Sequence, residues 1–139
     1  MFKTVQDVLT NYRKAVHEKD VDKFLLGYAE DVHIFDCWGK WEYTGTVAWK
    51  QVVAEWFSGL EEELLLRVEF HDDIVKESGD LTYVHCAVSY TAVDLSGKEL
   101  RSMKNRFTFV LEKIQGSWKI IHEHSSLPIN PENDQAIFG

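Results

Sequence analysis

The apolar positions of this chain change period near its middle, from helical spacing to strand alternation. Val5, Val8, Leu9, Tyr12 and Val16 recur at steps of three and four, which places them on one stripe of a helix over about 5–18. Thr4, with Asp7 three residues on, has the arrangement of a capping box, in which each side chain satisfies a free backbone N–H. A second, short helix is expected from Asp20, with Val21, Phe24, Leu25 and Tyr28 as its apolar face. Trp49, Val52, Val53, Trp56 and Phe57 mark a third helix over 46–58, and Gly59 suits its end.

Between the second and third helices, Val32, Ile34 and Asp36 alternate with His33, Phe35 and Cys37, the pattern of a strand. A further short strand is expected at 41–44, before a turn at Gly45. From residue 62 onward, β-rich runs are divided by turn residues at 78–80, 95–97 and 115–116. Four strands, 63–76, 81–94, 99–113 and 117–127, are therefore predicted to form a meander of hairpins. Helices followed by a meander read as one α+β domain, with a core over about 4–128 and a tail at 129–139. A long, curved antiparallel sheet and the three helices would wall a single apolar pocket.

Composition supports a pocket and excludes some ligands. Five Trp, five Tyr and eight Phe are more than a minimal core of this size needs, so rings are available to line a cavity or a self-association face. The net charge of -8 opposes binding to nucleic acid or to an anionic membrane, since either needs clustered cations. Cys37 and Cys86 have no metal-type spacing and are expected as free thiols. Lys3, Asp7, Arg13 and Lys14 interrupt the first sixteen residues, which therefore resemble neither a signal peptide nor a membrane span, and a cytoplasmic location is expected.

Three polar residues fall on otherwise apolar faces. Asn105 shares its side of a strand with Met103, Phe107, Phe109 and Leu111. Asp36 shares a face with Val32 and Ile34, and Tyr12 lies on the core stripe of the first helix. A buried carboxylate is costly unless it is paired, so Asp36 needs a reason. It can serve as a loop anchor bonding the backbone beyond its strand. Tyr12 and Asn105 can likewise be core residues with satisfied polar groups. Near the C-terminus, His122 and His124 have the spacing of a metal-binding pair, with Glu123 on the opposite face. A third ligand would have to come from elsewhere, such as His85, and no second cluster has metal-type spacing, so no metal is expected.

The order of these segments resembles the SnoaL-like and ketosteroid-isomerase-like families of the nuclear-transport-factor-like superfamily. The resemblance covers about 4–128 and rests on several weak pieces in sequence order. They are the run Glu30 to Asp36, the run Tyr43 to Trp49, and a C-terminal set comprising Arg106, Thr108, Val110, Gly116, Trp118, Ile120, His122, His124, Ser126 and Pro128. It implies a cone-shaped, cystatin-like α+β fold and a cofactor-independent isomerase, cyclase or dehydratase acting beside a carbonyl. Asp36 would then be the general base, Tyr12 and Asn105 would donate to the developing enolate oxygen, and Glu123 would be an auxiliary acid or base.

The same resemblance assigns Trp49, Val52, Trp56, Val88, Tyr90, Phe109, Ile121 and Ser125 to the wall around a small apolar or mixed-polarity ligand. It turns His122 and His124 outward, where with Trp118 they would serve a homodimer. The association domain of calcium/calmodulin-dependent protein kinase ends in a similar way, but it carries pocket arginines where this chain has Val88, Phe109 and Ser125. The competing expectation is a non-catalytic ligand-binding or dimerisation module of the same fold.

Overall fold

A computed structural model describes residues 1–139 in full. Three helices, α1 (Val5–Glu18), α2 (Val21–Leu25) and α3 (Thr46–Ser58), accompany six strands. The strands are β1 (Tyr28–Phe35), β2 (Tyr43–Thr44), β3 (Leu65–Ser78), β4 (Leu81–Val93), β5 (Glu99–Ile114) and β6 (Ser117–Ser126). The capping box forms as expected, with Thr4 Oγ1 accepting from the Asp7 amide at 3.1 Å and Asp7 Oδ2 accepting from the Thr4 amide at 3.0 Å. Asp20 caps α2 by accepting from the Lys23 amide at 3.0 Å.

One helix end differs from the sequence reading, while the start of α3 agrees with it. Helix α2 stops at Leu25, so Tyr28 is the first residue of β1 and not part of a helical face. The helix ends at its C-cap Leu26, and Gly27 then leads into the strand. Helix α3 starts from Gly45 at φ +85°, a conformation that glycine adopts without steric cost.

The sheet order is β2-β1-β6-β5-β4-β3, and the last four strands form the expected meander. The sheet is not wholly antiparallel, because β1 runs parallel to β6, with Ile34 opposite Glu123 and Phe35 opposite His124. Single extra residues break the register in three long strands, near Asp72 in β3, at Leu100 in β5 and at Ile121 in β6. Each such bulge adds bend and twist, which curls the sheet into a half-cone around the helices.

Phe24 ties the helices to the sheet, with ring centroids 4.8 Å from Tyr12, 5.4 Å from Tyr28, 6.1 Å from Trp56 and 5.7 Å from Phe57. Deeper along the cone, Phe109 stacks on Phe107 at 5.0 Å and meets Tyr12 and Phe70 edge-on. At the wide end, the chain after β1 brings Trp38 against Phe138 of the C-terminal segment, with centroids 5.7 Å apart. No helix is long and apolar enough to cross a membrane.

Phe109 is fully buried among these rings. Phe109→Ala is therefore expected to cost about 3–5 kcal/mol, seen as a lower urea midpoint. A loss below about 1 kcal/mol would contradict the packing described here.

Candidate functional site

Strand β5 supplies a depth scale for the cone. Inner-face residues at successive alternate positions run from Phe109 and Phe107, both buried, through Asn105, also buried, to half-buried Met103 and exposed Arg101. The polar amide thus marks the level at which the packed core gives way to open space. A cavity of about 520 Å³ begins there, between α3 and the inner face of the sheet. Tyr12, Asp36, Asn105 and Glu123 all line it, together with Trp49, Val52, Trp56 and Tyr90.

The remaining predicted wall residues lie elsewhere. Val88 and Phe109 sit below the cavity floor in the core, each with no exposed surface. Ile121 is the extra residue of the β6 bulge, where Val110 pairs with His122 and Leu111 with Ile120. The bulge resets the alternation, so Trp118 and Ile120 are buried on the same side as Glu123 and Ser125. Trp118 is consequently a core residue and not part of an outer aromatic face. His122 and His124 do lie on the outer face, and His122 Nδ1 is 2.7 Å from the His33 carbonyl oxygen. Ser125 turns from the cavity to Asp36.

The polar groups form two linked sets. Ser125 Oγ donates to Asp36 Oδ1 at 2.9 Å and accepts from the Cys37 amide at 2.8 Å, so it pins the chain just after β1. Asn105 Nδ2 donates to Cys37 Sγ at 3.6 Å, a weak contact that leaves its second N–H free. Behind Glu123, the Tyr28 hydroxyl donates to Oε1 at 2.5 Å. The Tyr12 and Tyr90 hydroxyls are 2.7 Å apart, and whichever of them donates, one hydroxyl proton remains available to the cavity.

Burial dominates the electrostatics. It pushes the Glu123 carboxyl up to about 8; the Tyr28 hydrogen bond opposes the rise and the nearby Asp36 charge adds to it. Glu123 is only 2% exposed, so near neutral pH it is mostly a neutral carboxylic acid. Burial likewise raises Asp36, against hydrogen bonds from Ser125 and the Cys37 and Trp38 amides that favour its charged form. A pure loop anchor would be depressed, whereas Asp36 is raised on balance and faces open space.

Burial and then Glu123 raise the Tyr28 hydroxyl well above its ordinary value, against a downward pull from the Trp49 indole N–H. That N–H meets no acceptor at hydrogen-bond geometry. It and Asn105 Oδ1 are buried polar atoms without a partner, both belonging to residues of the cavity wall.

Sequence reasoning missed Tyr28, because it was assigned to a helical face, and it missed the rim residues Trp38 and Arg101. For Arg101 a signal existed, since it stands two places before Met103 on the face already assigned inward.

A family model described as a SnoaL-like domain matches residues 5–130. An NTF2-like protein of unknown function from Pseudomonas putida superimposes with a TM-score of 0.82 at 22% identity, over 96% of this chain and 91% of its own. An uncharacterised protein with a cystatin-like fold from Caulobacter vibrioides gives 0.72 at 15% identity, over 92% and 89%. An NTF2-like superfamily protein from Salmonella enterica gives 0.68 at 14%, over 96% and 94%. Among curated proteins, none matches by sequence.

The Glu123 shift has a direct effect on stability. Its ordinary value is 4.5, so above that pH the unfolded chain releases a proton that the folded chain holds. The group's contribution is therefore full below about 4.5 and is lost as pH rises towards 8. Glu123→Gln is expected to flatten the fall in urea midpoint between about pH 5 and pH 8, and an unchanged slope would overturn the assignment.

Proposed function

Because the chain belongs to the SnoaL-like domain family, we propose that its cavity binds a small, mostly apolar carbonyl compound and moves a proton beside the carbonyl. The observation that carries this reading is Asp36, a carboxylate raised by burial and standing at the wall of an apolar cavity. Ser125 engages Oδ1, and the carboxylate also faces the cavity, where it can accept a carbon-bound proton from the substrate. The electrons of the broken C–H bond pass to the carbonyl oxygen, and the cavity's hydrogen-bond donors stabilise the resulting enolate.

Three donors are at hand. One proton of the Tyr12–Tyr90 pair is free, Asn105 has a second N–H, and Glu123 as a neutral acid has an O–H to offer. Keeping a carboxylic acid neutral in an apolar site so that it can donate is an established catalytic device. Return of the proton from Asp36 to a different carbon gives isomerisation. Attack of the enolate on a second carbonyl gives cyclisation.

A second reading is ligand capture without turnover. It is favoured by the ties from Ser125 and the following amides, which give Asp36 a structural job of its own.

Incubating the protein with a panel of cyclic ketones in D2O separates the two. The catalytic reading expects deuterium uptake beside the carbonyl, falling at least ~100-fold in Asp36→Asn with an unchanged melting midpoint. Exchange that survives Asp36→Asn removes Asp36 as the base. Saturable binding without any exchange favours capture.

A further inference from the structure

The cavity is electrically polarised along its depth. Its inner end carries both carboxyl groups, Asp36 and Glu123. Its rim carries Arg101, the one cationic side chain among the lining residues. The Arg101 guanidinium has no ion-pair or hydrogen-bond partner in the protein. Arg67, by contrast, is paired with Glu69 and Glu99. Arg101 is therefore a free cation at the lip of an otherwise apolar opening, on a protein whose net charge is -8.

From this geometry we propose that the ligand is a long, mostly apolar carboxylic acid, with its acid group held by Arg101 at the mouth and its neutral, reacting end at Asp36. The inference rests on the cavity being a small-molecule site, as proposed above, and adds the ligand's class and orientation. An anionic group placed at the inner end would face Asp36, whereas at the rim it meets an unpaired guanidinium, which suits a carboxylate bidentately. Only one orientation avoids like-charge contact.

The strand also sets the ligand's length. Arg101 and Asn105 are four residues apart on β5, which at ~3.3 Å per residue is about 13 Å. The Arg101 side chain can reach back along part of that span, yet an acid group held at the rim still stands apart from a carbonyl at Asp36, which disfavours compounds such as 2-keto acids, in which the two groups adjoin. Trp38, Trp49 and Trp56, which line the cavity, would enclose the apolar body.

The test uses 6-phenylhexanoate and its methyl ester, titrated separately into the full chain at low salt and followed by tryptophan fluorescence, since three tryptophans line the cavity. The acid is expected to bind about three- to fivefold more tightly than the ester, as befits one ion pair at a partly exposed site. Arg101→Gln should erase that preference while leaving the ester's affinity in place. Arg101→Lys should keep part of it, which guards against a merely structural effect. Equal binding of acid and ester to the natural chain, unaffected by Arg101→Gln, overturns the acid-headed ligand and leaves the proposed function standing. Failure of both compounds to bind saturably counts against the cavity as a small-molecule site, and the inference falls with it.

Discussion

The parallel pairing of β1 with β6 is the constraint on which the rest of the site depends. It sets Ile34 beside Glu123 and leaves Asp36, just past the end of β1, within reach of Ser125. Two carboxyl groups distant in sequence are thereby brought into one apolar region, where both cannot be charged cheaply. The surroundings of the two groups differ. Asp36 keeps three hydrogen-bonding groups that favour its anion, while Glu123 is buried more deeply with Tyr28 as its only hydrogen-bond partner.

The aromatic packing makes this arrangement rigid. Phe24 gathers rings from α1, β1 and α3, so the helices that cover the cavity are fixed to the strand that leads into Asp36. Relatives with 14–22% identity keep the same fold, so the architecture survives wide change in sequence. Such a fold can host many chemistries, so function has to be argued from the side chains of the site and not from the fold.

Local features of the fold were legible in the sequence because they are written in local periodicity. Helices α1 and α3, the capping box and the four-strand meander follow from spacing and turn residues alone. The inner face of β5 was equally readable, and Tyr12, Asp36, Asn105 and Glu123 do line one cavity. Long-range and one-residue effects were not. Nothing in the alternation of β1 or β6 says that they pair in parallel. Neither period-two alternation nor the family resemblance gives a depth along the cone, so Val88 and Phe109, which the resemblance assigns to the cavity wall, are core instead. Ser125 has the right face, but a hydrogen bond to Asp36 occupies it.

The bulge at Ile121 decides what the last strand means. With strict alternation, the side that buries Trp118 and Ile120 would also bury His122 and His124, and Glu123 would point outward. The extra residue lets Trp118, Ile120, Glu123 and Ser125 share one side instead. The same ten letters thus encode two linings, one of imidazoles and one of an acid and a hydroxyl, and a single unpaired residue acts as a reading-frame shift in space. Drawing Ile121 into regular pairing would exchange the one lining for the other without altering any side chain on the strand, whereas deleting it would leave Glu123 and Ser125 facing inward.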